Sequence, residues 1–148
     1  MSAAWRVLVA GLPLLGPLSL LPTAHAACMF GPDTGHDRYV CDSASAPALT
    51  DLNGDNSLIL PAGGSGTIVG NVTFGAGADR VEIVSGTIGG IVDQGAGIDT
   101  FIMRGGQIQA LQQGNSRDLF DMSGGRIVGA FEDGDVARMS GGRIGVLT

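Results

Sequence analysis

The sequence predicts an all-β protein: a right-handed parallel β-helix of about 4–5 coils, each of roughly 17–20 residues, with an uncapped C-terminal end. Three observations lead to this fold. Four segments repeat at a spacing near 20 residues, apolar and polar residues alternate inside each segment, and a glycine-rich stretch follows the alternation. Gly accounts for 26 of the 148 residues but does not recur at every third position, which excludes a collagen helix.

The four segments each begin with Asp and end with Ile. They are DRVEIVSGTI from Asp79, DTFIMRGGQI from Asp99, DLFDMSGGRI from Asp118 and DVARMSGGRI from Asp135. Period-two alternation is typical of a strand with one buried face, and glycine lets the chain turn close to its neighbours. Because one coil cannot bury its apolar face alone, we expect equivalent apolar residues to stack from coil to coil.

Four columns of stacked residues are predicted to form the core. They are Val81, Phe101, Phe120 and Ala137; Ile83, Met103, Met122 and Met139; Ile68, Ile88, Ile108, Ile127 and Ile144; and Val72, Val92, Leu111 and Phe131. The low aromatic content, 5%, suits a narrow core of this kind.

The first 26 residues have the three zones of a cleaved export signal. Arg6 provides a positive start, residues 7–21 form a mostly apolar run, and Ala24–Ala26 is a small-x-small cleavage site. The run is shorter than the roughly 20 residues that a spanning helix needs. The sequence therefore predicts a mature chain that begins at Ala27 and is exported.

Residues 27–56 form a polar segment that contains both cysteines of the chain. In an exported protein, Cys28 and Cys41 are predicted to form a structural disulfide. Residues 57–148 then form the repeat domain, whose first strand is predicted at Ser57 to Leu60.

Two of the corners suggest a metal site. Residues 74–82 (FGAGADRVE) and 94–102 (QGAGIDTFI) each resemble the calcium-binding nonapeptide G-G-x-G-x-D-x-U-x without its first Gly. Asp79, Asp99 and Asp118 would then stack on adjacent coils, where a calcium ion would relieve their repulsion. The alternative is that these residues form only the local hydrogen bonds that Asp commonly makes at tight turns.

Composition bears on other functions. The formal charge of −6 argues against a nucleic-acid partner. The expected mature chain contains one histidine, His36, and no lysine, so a catalytic triad or a lysine base is hard to assemble. Paired carboxylates at Asp99 and Asp118 leave open a remnant of a polysaccharide-acting β-helix enzyme. We predict a non-enzymatic protein with no catalytic residue and no cofactor, calcium being the candidate ion.

The runs DTFIMRGGQI and DLFDMSGGRIVGAFEDGD resemble the passenger region of bacterial autotransporters. The resemblance covers residues 57–148 and implies a surface-exposed or secreted β-helix of a Gram-negative bacterium. It also implies an outer-membrane β-barrel translocator as partner, which this sequence does not supply, so we interpret the chain as the N-terminal part of a longer passenger.

The resemblance implies a structural, surface-display function with an adhesion or virulence role, at the cell surface or secreted. If the chain instead ends at Thr148, the periplasm is the expected location. The sequence identifies no surface ligand or receptor. The alternatives are a calcium-binding β-roll-like exported protein and the polysaccharide-acting enzyme remnant.

Overall fold

A computed structural model of the protein describes residues 28–31, 35–132 and 135–147. Over these ranges the regular structure is entirely β-strand. No helix there has the length and apolarity to cross a membrane. The predicted export signal, residues 1–26, and Ala27 lie outside the described residues.

The strands are short at the start of the chain and become longer later. They are β1 Arg38–Val40, β2 Ser45–Ala46, β3 Leu49–Asn53, β4 Ser57–Leu60, β5 Thr67–Ile68, β6 Val72–Ala76, β7 Arg80–Ile83, β8 Thr87–Asp93, β9 Thr100–Gln112, β10 Leu119–Phe131, β11 Val136–Met139 and β12 Arg143–Leu147.

Each strand pairs in parallel with the equivalent strand of the next coil. On the first face β1 pairs with β4, β4 with β7, and β7 with the start of β9. The start of β9 pairs with β10, and β10 pairs with β11. The second and third faces continue in the same way through β2, β5 and β8 and through β3, β6 and β8. About five stacked coils result, so the predicted parallel β-helix is confirmed.

The first coil lies earlier in the chain than the sequence repeat indicates. Strand β4 has the predicted bounds, Ser57–Leu60, but it is the fourth strand rather than the first. Strands β1, β2 and β3 form a complete coil beneath β4, β5 and β6. This coil falls inside the segment 27–56, where the repeated Asp-to-Ile pattern is missing.

The predicted apolar columns are confirmed by strand register. For example, Ile68 is level with Ile88, Ile88 with Ile108, and Ile108 with Ile127. All four are essentially inaccessible to solvent. The column of Val72, Val92, Leu111 and Phe131 is likewise buried. Ala46 and Leu49 extend the second and third faces into the first coil.

The last described coil departs from the predicted burial. Ala137 and Met139 share the register of Phe120 and Met122, as expected, but they are exposed rather than in the core. Met139 is 52% exposed, whereas Met122 is fully buried. The physical reason is that a column member is buried by the coils on both sides of it. Among the described strands, β11 pairs only with β10.

Glycine corners let β9 and β10 bend between faces without ending. Gly106 and Gly125 stand at equivalent corners with φ of 72° and 83°. A Cβ added to Gly106 would lie 2.7 Å from the carbonyl oxygen of Gly86 in the coil before. Both the left-handed backbone and the close coil spacing therefore select glycine here.

The predicted disulfide between Cys28 and Cys41 is present, and both residues are buried. The backbone N–H of Cys28 donates to the carbonyl of Ser43 at 2.9 Å. Phe30 packs edge-on against Tyr39 of β1, with ring centroids 5.5 Å apart. The bridge thus fastens the segment around Cys28 over the first coil.

Candidate functional site

The most unusual feature of the interior is a column of polar side chains at the corner before the first face. Asp79, Asp99 and Asp118 each directly precede a first-face strand. Side chains two residues apart along a strand point to the same side, so Asp79 points inward like Val81 and Ile83. Asp99 and Asp118 have the same position in the next two coils. The three side chains are 0–1% exposed. We call Asp79, Asp99 and Asp118, with Asn56 in the coil before them, the aspartate ladder.

One carboxyl oxygen of each aspartate binds the backbone of the preceding coil. The N–H of Asn56 donates to Asp79 Oδ1 at 2.7 Å, the N–H of Asp79 to Asp99 Oδ1 at 2.8 Å, and the N–H of Asp99 to Asp118 Oδ1 at 2.8 Å. The N–H of Asp37 donates in the same way to Asn56 Oδ1 at 3.1 Å. The ladder therefore satisfies the backbone donors of the corner, where strand pairing is interrupted.

The other carboxyl oxygens have no such role. Oδ2 of Asp79, Asp99 and Asp118 is buried and has no hydrogen-bond partner in the described part of the chain. Burial raises the pKa of Asp99 to about 7; the hydrogen bond from the Asp79 backbone opposes this, and the carboxyls of Asp79, Asp118 and Asp93 add to it.

The pKa values of the two outer aspartates are shifted in the same direction. Burial raises the pKa of Asp79, opposed by the bond from the Asn56 backbone and reinforced by the carboxyls of Asp55 and Asp51. Burial also raises the pKa of Asp118, opposed by the Asp99 N–H and reinforced by Asp135. Burial is thus the main cause at all three positions.

Two buried glutamines line the same corner. Gln94 Nε2 donates to the carbonyls of Asp79 and Thr100, at 3.3 and 3.2 Å. Gln113 Nε2 donates to Gln94 Oε1 and to the carbonyl of Leu119, both at 3.2 Å. Gln113 Oε1 is buried without a partner among the described residues. The amides thus tie adjacent coils together on the inner side of the corner.

The repeat pattern did not predict three of the interior polar residues, Asn56, Gln94 and Gln113. Each carried a signal in the sequence. Asn56 precedes the alternating Ser57–Leu60 just as Asp79 precedes its own strand, and both glutamines precede a corner glycine. The repeated Gln-Gly pair marked an inward position that apolar columns alone do not reveal.

In the first coil, an acid–phenol pair between β1 and β3 lies in the interior. The Tyr39 hydroxyl donates to Asp51 Oδ2 at 2.6 Å, and the Asn53 N–H donates to Asp51 Oδ1 at 3.1 Å. Asp51 is level with Phe74 of the next coil, and both are buried. Both oxygens of this carboxyl are therefore hydrogen-bonded, unlike those of the three ladder aspartates.

The structure brings Asp79, Asp99 and Asp118 together, as the calcium hypothesis requires, but in a different role. One oxygen of each accepts a backbone N–H. The described residues contain no group of three or more His, Cys, Asp or Glu side chains placed to hold a metal ion. Calcium binding here stays a prediction, and we do not assign these aspartates as metal ligands.

The ladder is also closed to large substrates. Asp99 and Asp118, the candidate carboxylate pair for glycoside chemistry, are 0% exposed. An open depression of about 490 Å³ is lined by residues including Asp42, Pro61 and Gly64. Another of about 450 Å³ is lined by residues including Ile91, Ala110 and Glu132. Neither of these two depressions reaches a ladder side chain.

No protein-family model, no curated protein and no solved structure matches this chain.

Proposed function

We propose that this protein is a non-enzymatic, exported structural module: a β-helix stalk, similar to an autotransporter passenger, that presents its outer faces at a cell surface. The observation that carries the proposal is the uninterrupted parallel stacking of equivalent coils from β1 to β12. A solenoid of this kind forms a stiff rod with a repeated lateral surface, which suits display better than enclosure of a substrate.

The use of polar residues supports a structural role. The interior carboxyls and amides bind backbone groups of neighbouring coils, as Asp99 and Gln94 do. On the outside, Glu82 accepts hydrogen bonds from Arg80 in its own strand and from Arg104 in the next coil. The contact between Arg104 and Glu82 connects adjacent coils along the rod axis.

The enclosure of Asp99 and Asp118 supports the non-enzymatic part of the proposal. A polysaccharide-acting site would have to expose both carboxylates on an outer groove. Here the side chains point into the rod, and each holds a backbone N–H of the preceding coil. Their hydrogen bonds stabilise the backbone at the corner of the coil, and they are not placed to contact a bound sugar.

The export step is tested with a reporter enzyme that is active only after disulfide formation in the periplasm. We expect residues 1–26 fused before the reporter to give activity, and a fusion that lacks them to give none. An inactive reporter with residues 1–26 present would overturn the export part of the proposal.

Display is tested by joining the full chain to an outer-membrane translocator barrel and labelling intact cells with an antibody. We expect surface labelling and resistance to added protease. An Ile108→Asp variant is the matched control, because a charge in the central Ile column should prevent folding and make the displayed chain protease-sensitive. Failure of the parent chain to reach the surface, on a barrel that displays another passenger, would refute the proposal.

A further inference from the structure

Four buried oxygens at one corner of the rod lack a hydrogen-bond donor within the described residues. They are Oδ2 of Asp79, Asp99 and Asp118 and Oε1 of Gln113. Buried polar atoms are hydrogen-bonded in nearly all native proteins, and a buried ionised carboxylate without a partner is strongly disfavoured. The carboxyls therefore need either a donor or a change of protonation state.

Asn56 shows what this position in the coil accommodates. Like the three aspartates, it accepts a backbone N–H of the preceding coil on Oδ1. Its Nδ2, which corresponds to the aspartates' Oδ2, donates to the carbonyls of Asn53 and Gly54 at 3.2 and 3.4 Å. The second atom of the side chain thus meets hydrogen-bond acceptors, not donors.

The corners of the next coils have the same backbone arrangement. Asn53 is level with Ala76, and Ala76 with Ala96. A Cβ added to Gly77 or Gly97 would collide with the carbonyl oxygen of the equivalent glycine one coil earlier, so these corners stack directly. A Cβ added to Gly114 would likewise collide with the carbonyl oxygen of Gly95, so the corner before Asp118 stacks on the corner before Asp99. Carbonyl groups two and three residues before each aspartate therefore correspond to those that Asn56 uses.

We infer that Asp79, Asp99 and Asp118 are held as carboxylic acids in the folded protein, each Oδ2–H donating to a carbonyl of its own corner as Asn56 Nδ2 does. The aspartate ladder is thus a proton-binding column inside the rod. The proton supplies the donor that Oδ2 lacks, while Oδ1 remains the acceptor of the N–H from the preceding coil.

Among the described residues, the charged groups that shift the ladder's pKa values are all carboxyls. Asp51 and Asp55 act on Asp79, Asp93 acts on Asp99, Asp135 acts on Asp118, and Asp79 and Asp118 also act on Asp99. The neighbouring arginines point elsewhere: Arg80 pairs with Glu82 on the outer surface, and Arg117 is exposed. Each of these carboxyls raises the pKa of the ladder aspartate that it acts on and so favours the neutral form of that aspartate.

The consequence is that stability falls as pH rises. In the unfolded chain an aspartate loses its proton near pH 3.9, so between about pH 4 and pH 7 the folded state binds more protons than the unfolded state. The stabilisation is therefore complete below pH 4 and is lost as pH rises through the folded pKa of Asp99, about 7. Asp99 alone changes the folding equilibrium constant by up to about 1,000-fold across this window.

The test compares Asp99→Asn with the parent chain in thermal unfolding from pH 4 to pH 8.5. Asparagine imitates the neutral acid, so we expect the variant's midpoint to equal or exceed the parent's at pH 8 and to vary less with pH. Asp121→Asn, on the outer side of β10, is the matched control and should leave the parent's pH profile unchanged. A parent midpoint that does not fall between pH 5 and pH 8 would overturn the inference.

A direct measurement covers the case in which the variant does not fold. In the parent chain labelled with ¹³C at aspartate Cγ, we expect carboxyl resonances that remain in the protonated position at pH 6, well above the ordinary aspartate pKa. Titration of every aspartate below pH 5 would refute the proton-binding column. So would a rise in the parent's midpoint on adding calcium at pH 8 that Asp99→Asn abolishes, because calcium binds the ionised carboxylate.

Discussion

The central isoleucine column offers the clearest test of the fold. Ile108 is fully buried and lies level with Ile88 on one side and Ile127 on the other. Ile108→Ala removes three carbon atoms between two fixed strands, where the backbone cannot easily close the space. We expect it to lower the free energy of unfolding by about 3–5 kcal/mol, the upper part of the range for such truncations. Urea unfolding followed by circular dichroism measures this change.

Two matched truncations make the result specific to position in the column. Ile144→Ala truncates another isoleucine of this column, in the last described coil, where the side chain is only half-buried. It should lower the free energy of unfolding by about 1–2 kcal/mol. Val69→Ala alters an exposed residue beside the column and should stay within about 0.5 kcal/mol. If Ile108→Ala cost no more than Val69→Ala, the assignment of this column to the core would be wrong. The free energy of unfolding of a protein of this size is roughly 5–15 kcal/mol, so the Ile108→Ala variant should remain folded enough for its unfolding to be measured.

The disulfide, a glycine corner and the aspartate ladder can each be tested by one change. Replacing Cys28 and Cys41 together by Ser should lower the unfolding free energy by about 3 kcal/mol, and a reductant should lower the parent's thermal midpoint but not the variant's. Gly106→Ala should lower the free energy of unfolding by clearly more than 1 kcal/mol, as measured by denaturant titration. Gly63 has the same φ of 72° but open space around an added Cβ, so Gly63→Ala should lower it by only about 1 kcal/mol. Millimolar EDTA should leave the thermal midpoint unchanged if the ladder carboxyls are acids, while a fall of many degrees would support the calcium hypothesis.

The apolar columns could be predicted because the same alternation recurs at nearly constant spacing. Once Phe101 and Phe120 are aligned by sequence, stacking them in space requires only that coils be equivalent, and the structure stacks their rings 5.8 Å apart. The proximity of Asp79, Asp99 and Asp118 follows from the same alignment. Repetition therefore carries information about which residues meet across coils.

The first coil could not be predicted in this way. Strands β1 and β2 lack the Asp-to-Ile pattern, and β2 has only two residues, Ser45–Ala46. Their place is set by pairing with β4 and β5, a long-range contact that leaves little trace in local sequence.

The role of each aspartate was open for a related reason. Spacing placed the carboxyls together, but only the geometry shows that one oxygen binds a backbone N–H and that the other has no donor.

Burial at the end of the solenoid shows why sequence regularity and core formation are different properties. The segment from Asp135 to Ile144 preserves much of the repeat, including the Met-Ser-Gly-Gly-Arg-Ile run that also occupies 122–127. Yet Met139 is half exposed and Met122 is buried, although the two are level in register. The difference comes from β10, which is covered on both sides, while β11 has a described neighbour only on one. In a nearest-neighbour solenoid, the energy that holds a residue resides in the interface between coils. A column member with a described neighbour on one side, such as Met139, is therefore held by fewer contacts than Met122, which has a neighbour on both sides.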